Sequence, residues 1–269
     1  MAQADEHGHG HDDEHEDEFA PPGDDAQGTT GGQGRHGGDE PTLPQQYVRF
    51  SFYKVDPAWR RLPAAQRQAQ REELAGVVRR AAEGALLQPY STVGTRGDCD
   101  FMLWHASPDL EDMYQLAAAI NRTAMAGYLT LAYSYLSVTK RSMYTRGHRH
   151  PDQPESRLEV RMGEGAYLVV YPFVKVRPWY KLTAGARQGM MVEHIRIGHK
   201  YPHIRIHTTY AVGIDDEEFV LAFDADRPLE FVDLMMELRF SEASAYTLRD
   251  TPSFTCKRAT IDEALGLLG

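Results

Sequence analysis

His194 stands in a stretch that reads as an amphipathic helix, Ala184–Ile197, sharing a face with Met190, Met191 and Ile197 at i−4, i−3 and i+3. An imidazole on such a face has two readings. It is a core histidine with satisfied ring nitrogens, or it is an axial ligand to haem iron. In the second case its apolar wall keeps it neutral and its other nitrogen is tied to a carboxylate or carbonyl. Just upstream, Tyr171-Pro-Phe-Val-Lys-Val-Arg-Pro-Trp-Tyr180 ends a strand and carries two phenols, an indole and two cations. That segment is either the wall of a site or an aromatic sheet end with snorkelling bases. Phosphate loops, the GxSxG elbow and HExxH are all missing, so function has to rest on single residues and their placement.

A second group of imidazoles opens the chain: His7-Gly-His9-Gly-His11, then His15, interleaved with carboxylates. These ligand types suit Zn, Ni or Cu. A flexible tract has nothing to fix ligand geometry, so the plainer reading is a solvated polar tail that binds metal weakly. Residues 1–43 hold twelve acids against the single base Arg35, with nine Gly and one aromatic, Phe19. Such a segment cannot bury enough apolar surface to order itself, and we expect disorder.

The elements that must position His194 begin at Gln46. Tyr47–Val55 alternates apolar and polar side chains and reads as a half-buried strand. Pro63 opens a helix of good formers to about Leu87, followed by strands near Tyr90–Val93 and Asp100–His105. Pro108 to about Met125 is helical, with acids at its start, and Leu129–Thr139 is a strand. The order then recurs: strand Ala166–Val174, helix Ala184–Ile197, strands Ile204–Ala211 and Phe219–Ala225, helix Pro228–Phe240, strand Ser253–Arg258 and a short last helix. This is the split βαβ unit twice over, and the expected fold is α+β, two tandem ferredoxin-like repeats closing into one dimeric α+β barrel. The expected organisation is a tail over 1–43, a first half over 44–150 and a second half over 151–269.

Charge and composition exclude several classes. The net charge of −10 belongs to the tail, and the body is near neutral without a Lys/Arg cluster, so no nucleic-acid partner is expected. No run approaches the length of a membrane span. The polar, acidic start has no signal-like h-region, and Cys99 and Cys256 are too few for a disulfide scaffold. A cytoplasmic protein is expected.

The residues around His194 also carry a family resemblance. Tyr171-Pro-Phe-Val-Lys175, Trp179-Tyr180 and His194 with Gly198 four residues on are similar to the signature of the chlorite dismutase family, within it most to the actinobacterial type of coproheme decarboxylase. The likeness continues through Thr208–Phe223, Phe231–Ser244 and, in the first half, Asp100–Ala106. It covers about residues 46–260. It implies two ferredoxin-like halves, porphyrin held by the second, and a homopentamer. It implies that His194 is the proximal iron ligand and that Tyr171 becomes a radical during decarboxylation. Lys175, Trp179, Arg239 and Ser244 fall on positions near the macrocycle or its propionates. The implied reaction turns Fe-coproporphyrin III, both substrate and cofactor, into haem b with hydrogen peroxide. A haem-binding or delivery protein without turnover, a chlorite dismutase or peroxidase, and a ferredoxin-like barrel without haem stay open.

The distal side separates these. Chlorite-degrading relatives place an arginine seven residues before the glycine of the Gly-hydrophobic-Asp-Asp turn; here that turn starts at Gly213 and the position is Ile206. An aliphatic side chain polarises nothing. Arg205 and His207 flank it, and strand alternation sends them to the other face unless a bulge turns Arg205 inward. The resemblance implies a distal histidine from the linker between halves, His148, able to take and return a peroxide proton. His150 stays open as its rival, as does a solvated basic linker.

Overall fold

The computed structural model describes residues 45–142, 144 and 160–269. The histidines of the tail and the pair His148 and His150 lie outside the described residues. The first set of elements is β1 (Tyr47–Val55), α1 (Ala64–Ala82), β2 (Leu86–Ser91), β3 (Phe101–Ser107), α2 (Glu111–Asn121) and β4 (Leu129–Val138). The second is β5 (Tyr167–Lys175), α3 (Arg177–Lys181), α4 (Ala184–His199), β6 (Arg205–Tyr210), β7 (Phe219–Ala225), α5 (Pro228–Phe240), β8 (Thr247–Arg249), β9 (Phe254–Arg258) and α6 (Ile261–Gly266).

Hydrogen-bonded neighbours run β4-β1-β3-β2 in the first set and β9-β5-β7-β6 in the second, the same order of fourth, first, third and second strand. Each set therefore leaves its second and fourth strands as edges. Those edges meet: β4 pairs β6 at Val138↔Tyr210, and β2 pairs β9 at Tyr90↔Arg258 and Ser91↔Lys257. Eight antiparallel strands thus close into a barrel, which removes exposed strand edges, and β8 attaches to the end of β5. The expected α+β tandem barrel is the fold found.

Alternation along the strands sorts side chains into two environments. One face fills the barrel with Phe50, Phe52, Trp104, Val170, Val220 and Phe254, drawn from both sets of elements. The other face of the first set carries Phe101 and Leu103 of β3 beneath Leu74 and Val78 of α1 and Leu265 of α6. The outer face of the second set carries Val169, Tyr171 and Phe223 beneath Leu234 of α5. Tyr171 thus points away from the barrel and toward the helices.

The local differences from expectation have physical causes. α1 stops at Ala82 rather than near Leu87, because Leu86 and Leu87 are taken into pairs with Ala106 and His105 of β3. α2 starts at Glu111 rather than Pro108: Ser107 Oγ accepts the Asp109 amide and Asp109 the Glu111 amide, which holds a turn before the helix. A short 3-10 turn over Ala124–Tyr128 replaces its last part. α3 and β8 were not expected, being five and three residues long, below the length at which periodicity is readable.

Gly165, just before β5, sits where a Cβ would lie 2.6 Å from the Ala225 amide nitrogen. Backbone cannot yield to such a contact without moving β7. Gly165→Ala is expected to lower the unfolding free energy by about 1–3 kcal/mol, measured by urea denaturation. An unchanged midpoint would show that the two strands part freely. No helix among the described residues is long and apolar enough to cross a membrane.

Candidate functional site

Between α4, α5 and the outward face of β5–β7 lies a cavity of about 1340 Å³, room for a large planar ligand. Tyr171, Lys175, Trp179, His194, Arg239 and Ser244 all line it. Two residues of β5 and one each from α3, α4, α5 and the segment after α5 therefore converge on one space.

α4 begins cleanly because Thr183 accepts the Ala186 amide at 3.2 Å. Its inner face, Met191, His194, Ile195 and Gly198, fronts the cavity rather than packed side chains, and none of its residues is fully buried. Burial pulls the His194 imidazole down to about 4, and the Lys175 cation adds to that. At neutral pH the ring is uncharged, with a lone pair to give, and among the described residues neither nitrogen has a hydrogen-bond partner. A satisfied core histidine would have such partners, so the core reading does not describe this geometry.

Tyr171 is 4% exposed, stacked on Phe223 at 5.6 Å. Among the described residues its hydroxyl meets only the Met235 sulfur, at 3.7 Å, a weak acceptor. Burial raises the phenol well above its ordinary value, so it is protonated. Nothing about this packing needs the oxygen; Phe would stack as well. Lys175 Nζ lies 4.4 Å above the Trp179 ring and donates to the Ala243 carbonyl at 3.0 Å. Burial lowers it to about 8, opposed by Glu218, which leaves it mostly charged near neutrality. Trp179 is buried against Tyr246, with Tyr144 on its other edge.

Arg239 and Ser244 sit at the rim. Arg239 is 67% exposed and pairs with Asp250 at 3.0 Å, while the Ser244 hydroxyl donates to the Arg239 carbonyl at 2.7 Å. The serine is thus committed to the last turn of α5. Arg239 can swing from Asp250 to a ligand carboxylate at small cost, since an exposed pair contributes little.

Ile206 faces the cavity and is 39% exposed. β6 pairs β7 without a register shift from Arg205↔Asp224 to Tyr210↔Phe219, so no bulge turns Arg205 over. Arg205, at the start of β6, still lines the cavity and is ion-paired there to Glu164 at 2.5 Å, while His207 lies inside the barrel, edge-on to Trp104 at 5.1 Å and 3.4 Å from Asp224. Of the linker that carries His148, Tyr144 is described; it lines the cavity and its carbonyl accepts from Gln188 of α4 at 3.1 Å. Two contributors escaped the sequence reading. Met235 shows only as part of an apolar helix, and Glu218 only as part of an acidic turn.

A family model described as chlorite dismutase matches residues 67–259. Among solved structures, a haem-binding protein from Thermus thermophilus is 30% identical, with a TM-score of 0.75 over 84% of this chain and 95% of its own. A mutant chlorite dismutase from Candidatus Nitrospira defluvii is 25% identical, with a TM-score of 0.74 over 82% of this chain and 94% of its own. The imidazole complex of the same organism's chlorite dismutase gives 0.73 at 25% identity over 82% and 94%.

Proposed function

This chain belongs to the chlorite dismutase family, and from that premise we propose that it binds an iron porphyrin through His194 and is a coproheme decarboxylase. The observation that carries the reading is Tyr171: a buried phenol on the cavity wall, protonated, with a thioether as its only hydrogen-bond partner among the described residues. The residues fit a porphyrin with carboxylate arms. A neutral imidazole faces an apolar wall, and Lys175 and Arg239 stand where anions would reach them.

When bound, the iron porphyrin supplies the oxidising power drawn from hydrogen peroxide and is also the molecule consumed. Everything else is done by the chain. His194 offers its lone pair and α4 holds the ring in place. Tyr171 gives up the hydrogen of its hydroxyl and regains one from the β-carbon of a propionate. Lys175 and Arg239 hold the carboxylates so that this carbon comes within reach of the phenol. His148 is assigned the peroxide proton, a role that falls outside the described residues. In balance, each propionate with one hydrogen peroxide and one proton gives a vinyl group, carbon dioxide and two waters. Two propionates react in turn, and coproheme becomes haem b. Ile206, at the position where chlorite-degrading relatives carry an arginine, counts against chlorite degradation.

The test is to titrate the protein with ferric coproheme, add hydrogen peroxide stepwise and follow the porphyrin by mass spectrometry. Two successive losses of carbon dioxide with two hydrogens are expected. Coproheme that binds and keeps its mass would make this a haem-binding protein without this turnover.

The site also predicts a pH profile. Protonation competes with iron for the imidazole only near the lowered value of His194, about 4. Binding read from the Soret band is therefore expected to hold from about pH 7 to about pH 5, below the ordinary imidazole value of about 6.5. Loss of binding centred near that ordinary value would mean that His194 is solvated or is not the ligand.

A further inference from the structure

Resting on the porphyrin-binding reading of this cavity, we propose that Glu218 is a positioning residue that aims Lys175 into it. The pairing of β5 with β8 shifts register between Val174 and Lys175, the kind of irregularity that re-aims a side chain at a strand end. On the other edge of β5, the ladder with β7 ends at Phe173↔Phe219. The amide of Lys175 is therefore left without a strand carbonyl, and it donates instead to Glu218 Oε2 at 2.8 Å.

The same oxygen accepts the Tyr180 hydroxyl at 2.6 Å, which ties in α3, the short helix that carries Trp179. Glu218 is itself held on both sides: its amide donates to Phe173 O at 3.2 Å and its carbonyl accepts from Ala211 at 2.9 Å. One buried carboxylate thus joins the start of β7, the end of β5 and α3. Arg177, 3.7 Å from Oε1 and almost fully exposed, adds little. With its amide plane fixed, Lys175 directs its side chain across the Trp179 ring toward the Ala243 carbonyl, on the cavity wall. The effect of Glu218 on a ligand carboxylate then passes through Lys175, without contact of its own.

Two measurements test this. In the protein without porphyrin, the Lys175 amide is expected to be protected from hydrogen exchange in the parent and in Glu218→Gln, whose amide oxygen still accepts. In Glu218→Ala it is expected to exchange at least about ten-fold faster. In a double-mutant cycle on the ferric coproheme Kd, Glu218→Ala is expected to weaken binding about ten-fold in the parent and to leave Kd unchanged in Lys175→Ala, with Glu218→Gln near the parent. Unchanged protection of the Lys175 amide in Glu218→Ala overturns the proposal, and so does an equal loss of affinity in both backgrounds. If the parent binds no coproheme, the functional reading fails while the exchange data still decide whether Glu218 holds Lys175.

Discussion

His194→Ala is expected to weaken ferric coproheme binding by more than about 100-fold, above the 10–100-fold typical of losing a residue that merely supports a metal ligand. The Soret band of whatever still binds should shift, because the iron loses its imidazole. Two other histidines, His199 and His203, also border the cavity, so the prediction is specific. Both are exposed, whereas His194 is held in an apolar environment that keeps its ring neutral to about 4. His199→Ala and His203→Ala should bind as the parent does. The truncation leaves the fold standing, since α4 buries none of its residues completely and its inner face rests on the cavity. Circular dichroism that matches the parent, with the loss of affinity, separates lost ligation from lost structure. Unchanged coproheme affinity in His194→Ala would remove the residue from the site.

The parts of this arrangement that were legible in the sequence are those governed by local periodicity. The alternation of Tyr47–Val55 marks it as a strand, and the structure starts and ends β1 at those residues, but neighbours Ser51, Phe52 and Tyr53 are all buried, so both faces are covered rather than one. The repeated order of strands and helices is legible as two ferredoxin-like units closing into a barrel, and in the structure each unit pairs its strands in the same order. The spacing of His194 to Met190 and Met191 puts it on an apolar helix face, which leaves core and iron-ligand readings open, and the family resemblance favours the second. Ile206 and His207 went to opposite faces as alternation demands.

What escaped depends on contacts between distant segments. Glu218 belongs to Asp215-Asp216-Glu217-Glu218, which reads as a solvated turn. Its role exists only because β5 changes register at Lys175, 43 residues earlier, and nothing local encodes that shift. The ion pair of Arg239 with Asp250 likewise waits on the path of the chain after α5. The family resemblance therefore named residues that line the cavity, while neither it nor local periodicity pointed to the carboxylate that ties β5, β7 and α3 together.

Tyr171→Phe is expected to bind ferric coproheme as tightly as the parent and to form haem b at least about 100-fold more slowly, the lower end of what a positioned proton-transferring group contributes. The two halves of this prediction come from different atoms of one side chain. The ring is structural: it stacks on Phe223 at an interplanar angle of 17° and is buried with Val169 and Leu234. Phenylalanine keeps all of that, and the variant forfeits only a hydrogen bond to the Met235 sulfur. The unfolding midpoint should therefore stay near that of the parent, since removing a donor from a weak acceptor leaves no strong group unsatisfied. The hydroxyl alone carries the hydrogen that the phenol gives up and regains. In Tyr171→Phe, peroxide should consume the porphyrin by bleaching while its carboxylates survive, so mass spectrometry would show loss of coproheme without a product lighter by carbon dioxide and two hydrogens. Haem b formed at the parent rate would mean that another group abstracts the hydrogen. Tyr180, a second phenol on the cavity wall, would then be the next to change, although its hydroxyl is already given to Glu218.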